Sequence, residues 1–159
     1  AIRSGLEQVE WPGRFQILHR RPVVVADGAH NVASVRQVRQ TVEALFPDRR
    51  RILVFGATAD KDLTEMIRVL VPMADEVILT AADHPRAAAP ADLHRRLEEQ
   101  GFGAWQAPTV ASAIAMAREM AGPDDVICIT GSLFVVGDAL TAWEEISERM
   151  DAVKVAVPQ

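Results

Sequence analysis

A histidine and an aspartate follow a run of valines early in the chain. Residues 23–31 read VVVADGAHN, so Asp27 and His30 come directly after a segment that predicts a buried strand. An aspartate at a strand end can accept hydrogen bonds from a ribose or hold a metal, and a histidine can bind a ligand or transfer a proton. A purely structural interpretation stays open, because Asn31 is a good helix N-cap and Asp27 with Gly28 makes a turn.

A second polar group stands in FGATADKD, residues 55–62. Gly56 permits close approach of another backbone. Lys61, one of two lysines in the chain, lies between Asp60 and Asp62. Taken alone, these residues favour a solvated helix cap, with Asp62 stabilising the helix N-terminus and Lys61 paired to its neighbours.

Two further polar loops follow apolar runs. His84 and Arg86 lie in TAADHPR, and Arg86 is suited to bidentate capture of a carboxylate or phosphate, although a plain surface loop explains it too. Ser132 stands where a helix starts in GSLFVVG. An N-cap role explains Ser132 without a ligand, but a carboxylate bound by Ser132 and neighbouring N–H groups would use the same geometry.

Several motifs are absent from the sequence. Ser132 is not in a G-x-S-x-G elbow, which argues against a nucleophilic serine. The four histidines lack metal-ligand spacing, so we expect no zinc site. The chain has no G-x-G-x-x-G and no G-x-x-x-x-G-K-[ST], so we expect neither a standard dinucleotide site nor a P-loop within it.

The composition indicates an ordinary globular protein. Of 159 residues, 49% are hydrophobic and 25% are charged, and the formal net charge is -5. This balance gives no electrostatic reason to expect nucleic acid as a partner. No apolar segment reaches the length of a membrane span, so we expect no membrane partner and take the cytoplasm as the default location. Cys128 lies in the apolar run VICIT, which favours packing over nucleophilic chemistry.

The elements that position these residues alternate between strands and helices. Unbroken apolar runs predict parallel strands that are covered on both faces, and the first run, close to the second, predicts an antiparallel edge strand. The predicted strands are 15–18, 23–26, 52–55, 77–80 and 126–130, with a weaker sixth at 104–106. Helical spacing predicts helices near 35–46, 63–71, 90–101, 109–120 and 134–150. The pattern predicts a Rossmann-like α/β fold: a doubly wound, mostly parallel sheet of about six strands.

The predicted organisation is one domain at residues 1–150 and a tail at residues 151–159. The chain begins at Ala1 without an initiator Met, and its first residues, AIRSGLEQVEW, resemble the end of an earlier helix. We therefore expect a piece of a longer protein. In a doubly wound sheet, ligands bind at the carboxyl ends of the strands, which is where all four polar loops fall.

Five motifs in order resemble a known family. They are WPGR at 11–14, DGAHN at 27–31, DKD at 60–62, HPR at 84–86 and TGSLFVVG at 130–137. This series resembles the C-terminal domain of folylpolyglutamate and dihydrofolate synthases, within the Mur ligase superfamily. The resemblance implies the Mur ligase C-terminal fold, in a protein whose own N-terminal ATPase domain holds the phosphate loop and most of the Mg²⁺ ligands.

The resemblance also implies a reaction and a role for several residues. ATP phosphorylates a carboxylate of folate or dihydropteroate, and the amine of L-glutamate then displaces phosphate. Arg14 resembles an arginine that reaches the ATP phosphates, and Asp27 resembles an acid that contacts the ATP ribose. His30 matches a catalytic histidine near the glutamate, and Ser132, with Arg86, matches the glutamate-binding residues. Lys61 and Asp62 match a motif whose role we leave unassigned.

Two other classes of function remain as alternatives. A stand-alone nucleotide- or metabolite-binding regulatory module would use the same strand ends, and micromolar ATP binding by the chain alone would favour it. A small hydrolase built on Asp27 and His30 would need turnover of an ester or phosphate that is lost in His30→Ala.

Overall fold

The structure is a computed structural model, and it describes residues 14–156. The helix end expected in AIRSGLEQVEW and the first three residues of WPGR lie outside the described residues, as do residues 157–159 of the expected tail.

Six strands lie between residues 14 and 156, and they form one sheet in the order β1-β2-β6-β3-β4-β5. Their bounds are β1 (Gln16–Arg20), β2 (Val23–Asp27), β3 (Arg51–Phe55), β4 (Glu76–Leu79), β5 (Trp105–Gln106) and β6 (Val126–Thr130). β1 is an antiparallel edge strand, and every other neighbouring pair is parallel. The predicted mostly parallel sheet with an antiparallel N-terminal edge is confirmed.

Helices connect the parallel strands, as the spacing predicts. Their bounds are α1 (Val32–Leu45), α2 (Leu63–Leu70), α3 (Pro90–Glu99), α4 (Val110–Met120) and α5 (Leu133–Ala156), and a short 3₁₀ turn at Val71–Met73 follows α2. The expected helix end at Met150 was too early, because α5 continues to Ala156. The physical reason lies in the sequence, since no glycine or proline interrupts the chain between Met150 and Pro158.

The sheet is covered on both faces by apolar side chains. Alternate strand residues such as Leu53 and Phe55 pack with α1, α2 and α3 on one face. Ile52 and Val54 point the other way and pack with α4 and α5. Because β2, β3, β4 and β6 are buried on both sides, their sequences are dominated by apolar runs.

The buried thiol of Cys128 belongs to the first of these faces. Burial, with a smaller contribution from the Asp27 charge, raises the pKa of Cys128 from 9.0 to about 12. The predicted packing role for Cys128 is confirmed. Within residues 14–156 no helix is long and apolar enough to cross a membrane.

Candidate functional site

The carboxyl ends of four parallel strands stop at the same level of the sheet. Asp27 at the end of β2 pairs in register with Thr130 at the end of β6. Thr130 is also level with Phe55 of β3, and Phe55 is level with Leu79 of β4. All four polar loops therefore leave from one edge, and this edge is the candidate functional site.

Asp27 fixes the chain on both sides of β2. One carboxylate oxygen accepts from the backbone N–H of Phe15 at 2.8 Å, and the other accepts from the N–H of Ala29 at 2.8 Å. The Thr130 hydroxyl donates to the Asp27 carbonyl at 2.7 Å. Phe15 has a φ of 41°, a left-handed conformation that is rare outside glycine. Asp27 thus stabilises the unusual turn at Phe15, and the exposed Arg14 directly precedes this turn.

His30 is exposed at the start of α1, and its ring has a defined proton. The Nδ1 atom lies 3.1 Å from the carbonyl oxygen of Gly28. Because a carbonyl only accepts, Nδ1 must carry the proton and donate it, which leaves Nε2 of the neutral ring as an acceptor. Asn31 is the N-cap of α1: its side chain accepts from the N–H of Ser34, and Ser34 completes a capping box. The capping role predicted for Asn31 is confirmed.

The backbones of two loops touch at glycines. Gly131 has a φ of 118°, and a Cβ placed there would lie 2.2 Å from the carbonyl oxygen of Gly56. A Cβ on Gly56 would in turn lie 2.7 Å from the carbonyl oxygen of Thr80. The predicted close approach at Gly56 is confirmed, and the same argument extends to Gly131.

The loop after β3 contains the predicted cap. Asp62 is the N-cap of α2, and its side chain accepts from the N–H of Glu65. Lys61 Nζ lies 3.7 Å from the Asp60 carboxylate. A hydrogen bond from Thr58, with smaller contributions that include the charges of Lys61 and Arg86, lowers the pKa of Asp60.

The loop after β4 packs on the loop after β3. The Ala59 N–H donates to the Arg86 carbonyl at 2.8 Å, and Thr58 pairs with Ala87 as an isolated bridge. The Arg86 N–H donates to Nδ1 of His84 at 3.1 Å, so this nitrogen of His84 carries no proton. Arg86 itself is exposed.

Ser132 closes the arrangement at the start of α5. It is 3% exposed, and its hydroxyl accepts from the N–H of Phe134 at 3.0 Å. The Phe134 ring stacks on His84 with a centroid separation of 3.7 Å, and the Arg86 guanidinium lies 5.8 Å from the same centroid. The sequence did not indicate a role for Phe134, because an apolar residue in the first turn of a helix is normally predicted to be buried in the core. In the structure its side chain is 37% exposed.

The site residues thus fall into two groups along the edge. Arg14, Asp27 and His30 lie around the end of β2. Arg86 and Ser132 lie around Phe134, and Lys61 is in the adjoining loop. No group of three or more His, Cys, Asp or Glu residues that could hold a metal ion occurs in the described part of the chain.

Comparison with known proteins shows the family of this chain. Residues 13–133 match the family model described as "Mur ligase, glutamate ligase domain". The chain is 39% identical over 144 residues to a probable bifunctional folylpolyglutamate synthase/dihydropteroate synthase of Haloferax volcanii, covering 90% of this chain and 17% of the relative. It is 33% identical over 138 residues to the dihydrofolate synthase/folylpolyglutamate synthase of Bacillus subtilis, covering 87% of this chain and 32% of the relative.

Solved structures of this kind share the fold. The Mycobacterium tuberculosis folylpolyglutamate synthase complexed with ADP and AMPPCP aligns with a TM-score of 0.80 at 32% identity, over 89% of this chain and 34% of that one. A bifunctional folylpolyglutamate synthase/dihydrofolate synthase with Mn, AMPPNP and L-glutamate bound aligns with a TM-score of 0.77 at 29% identity, over 90% of this chain and 34% of that one. The chain thus spans about a third or less of these proteins' lengths. It belongs to the Mur ligase family, as a glutamate ligase domain.

Proposed function

We propose that this chain is the glutamate-binding and lid domain of an ATP-dependent ligase that adds L-glutamate to folate or dihydropteroate. The observation that carries the proposal is the shared strand-end edge, where an exposed arginine and a helix N-terminus flank one aromatic ring. Both features suit a carboxylate ligand. The similarity to a synthase solved with L-glutamate and AMPPNP supports the choice of substrates.

The proposed reaction has two steps. The γ-phosphoryl group of ATP passes to a carboxylate oxygen of the pterin substrate, and ADP leaves. The glutamate amine then attacks the acyl carbon, loses a proton, and expels inorganic phosphate as the amide forms. A domain that closes over the acyl phosphate positions the amine and excludes water, which would otherwise hydrolyse the intermediate.

The group around β2 is assigned to ATP. Each Asp27 oxygen accepts one backbone N–H, and each has a further lone pair that can accept from a ribose hydroxyl. Arg14 adjoins the Phe15 turn that Asp27 holds, and a guanidinium suits phosphate oxygens. We assign Arg14 to the ATP phosphates and Asp27 to the ribose.

The remaining residues are assigned to glutamate and its proton. In the neutral form of the His30 ring, Nε2 is an acceptor that can take the proton lost by the attacking amine. Arg86 is assigned to a glutamate carboxylate, together with Ser132, whose hydroxyl already accepts from the backbone and can still donate its own proton. Asp62 caps α2 and Lys61 pairs with Asp60, and we assign neither Lys61 nor Asp62 a contact with substrate.

Divalent metal is expected to accompany ATP, as Mn does in the similar bifunctional synthase. The described residues do not fit a resident metal, because they bring together no suitable set of ligands. The proposal therefore assigns Mg²⁺ to an N-terminal ATPase domain of the longer protein and derives no step through it here. The cytoplasm is the proposed location, because the reaction consumes ATP.

Steady-state kinetics of the longer enzyme test these assignments. We expect Arg86→Ala to raise the KM for glutamate at least about tenfold, because the variant loses one charged hydrogen bond to the substrate. His30→Ala is expected to lower kcat by about 10²-fold or more. The matched control is Arg68→Ala, which removes an exposed arginine on α2 that pairs with Glu65.

Asp27 needs a separate readout because it also holds the backbone. We expect wild-type enzyme to use 2′-deoxy-ATP or 3′-deoxy-ATP less well than ATP, and Asp27→Asn to lose that preference. If Arg86→Ala leaves the glutamate KM unchanged and Asp27→Asn keeps the full preference for ribose, the assignment of substrates to this edge is wrong.

A further inference from the structure

Phe134 lies where the proposed glutamate-binding residues meet. Its backbone N–H donates to the Ser132 hydroxyl, its ring stacks on His84 with an interplanar angle of 15°, and the Arg86 guanidinium lies beside its face. One residue therefore contacts the cap of α5 through its backbone and the HPR loop through its side chain.

The exposure of Phe134 sets it apart from the core. Its neighbours Val135 and Val136 are 1% and 2% exposed and pack under the sheet, whereas Phe134 is 37% exposed on the strand-end edge. A partly exposed apolar residue is ordinary on a protein surface, so its exposure alone indicates no role. The contacts of Phe134 with His84 and Arg86 are what distinguish it.

The side chains of the HPR loop contact Phe134, and Arg86 also lies close enough to Asp60 for their charges to interact. The backbone of the HPR loop is tied to the β3 loop through Arg86 and Ala87. His84 is tied to the loop's own backbone through the N–H of Arg86, and its ring lies flat against Phe134. A long arginine side chain loses conformational entropy when it binds a ligand, and a ring that already restricts it lowers this cost.

We propose that Phe134 is a positioning residue. It holds His84 and the Arg86 guanidinium in the orientation in which the guanidinium binds the glutamate carboxylate. This inference rests on the proposed function, because it takes Arg86 as a glutamate-binding residue. Phe134 acts through Arg86 and transfers no proton. Its removal should weaken glutamate binding without changing the chemical step.

The kinetic test uses the longer enzyme and three variants. Phe134→Ala is expected to raise the KM for glutamate about fivefold to tenfold, or about 1–1.4 kcal/mol, with kcat and the KM for ATP within about twofold of wild type. Phe134→Tyr keeps the ring and should restore the glutamate KM. Leu133→Ala, which truncates the adjacent apolar residue that is 59% exposed, is the matched control and should behave as wild type.

A structural readout separates this inference from the proposed function. In NMR spectra of the present chain, the ring protons of His84 should be shifted upfield by the stacked Phe134 ring, and Phe134→Ala should remove that shift while circular dichroism shows an unchanged fold. If Arg86→Ala raises the glutamate KM but Phe134→Ala does not, the positioning role is wrong and the proposed function stands. If Arg86→Ala has no effect while the His84 shift is present, the assignment of glutamate fails and the stacking geometry stands.

Discussion

Single residues at the strand-end edge serve the fold and the proposed site at once. Asp27 accepts two backbone N–H groups and keeps lone pairs for a ligand. Ser132 caps α5 through its oxygen and keeps a proton to donate. The structural and functional interpretations of these residues, which the sequence presents as alternatives, are therefore compatible. A substitution to alanine removes both roles, so substrate-specific measurements are needed to tell them apart.

Cys128 is a residue whose burial has a measurable consequence. Its folded-state pKa, about 12, is above the ordinary value of 9.0, so the folded state prefers the neutral thiol. Stabilisation from this preference is fully present below about pH 9, and it is lost as the pH rises towards 12 because the unfolded chain releases the proton first. We expect the free energy of unfolding of wild type to fall more steeply between pH 9 and pH 10.5 than that of Cys128→Ala, measured by urea titration.

A reactivity measurement accompanies this prediction. At pH 8 the folded protein should resist alkylation by iodoacetamide, and the urea-unfolded chain should react readily. Rapid alkylation of the folded protein, or identical pH profiles for wild type and Cys128→Ala, would contradict the account of a buried neutral thiol.

At the scale of elements, loop backbones pack directly on one another. The end of β6 turns at Gly131 so close to Gly56 that no side chain fits between them. This contact brings the start of α5, and with it Ser132, against the loop after β3. Gly56 in FGATADKD and Gly131 in TGSLFVVG are therefore explained by close packing of the two loop backbones.

Gly131→Ala tests this contact. The variant should lose about 2–5 kcal/mol of unfolding free energy, the combined cost of a strained φ and an overpacked Cβ. Gly101→Ala is the matched control, because Gly101 also has a positive φ, of 85°, but its Cβ would meet nothing within 4 Å. Urea unfolding should show a clearly smaller loss for Gly101→Ala, and equal losses in the two variants would argue against the close approach.

Many of the strands and helix starts were predictable from the sequence. The runs at 23–26, 52–55 and 126–130 predict β2, β3 and β6, and Asn31, Asp62 and Thr109 mark helix starts that the structure confirms. Two features were not predictable, for physical reasons. The first is the run of arginines at residues 49–51, where β3 begins. In the sequence it favours a solvated flank, yet Arg51 donates to the carbonyls of Phe46 and Met73, contacts that depend on tertiary structure.

The second unpredictable feature is the candidate site's internal arrangement. Spacing along the chain places Arg86 and Ser132 at strand ends, but only the fold shows that they share Phe134. The ring contact joins residues about 50 positions apart, and local sequence patterns carry no information on such contacts.

At the scale of the whole molecule, one edge of the sheet collects the polar loops. Arg50 at the opposite end bonds to Asp125 at 3.0 Å and to the Met120 carbonyl at 3.1 Å. The strand-end edge presents the exposed side chains of Arg14, His30 and Arg86. The candidate site at this edge and coverage of about a third of the related synthases support the proposal that this domain completes a site on another domain.

The most direct test of this account is an ATP-dependent ligation assay, in which radiolabelled L-glutamate is joined to tetrahydrofolate or dihydropteroate. It compares residues 1–159 alone with the longer protein that we propose contains them. We predict amide product from the longer protein, and none above the ATP-free control from residues 1–159, even when circular dichroism shows that they are folded. Amide formation by residues 1–159 alone, or none by the longer protein, would contradict the central claim.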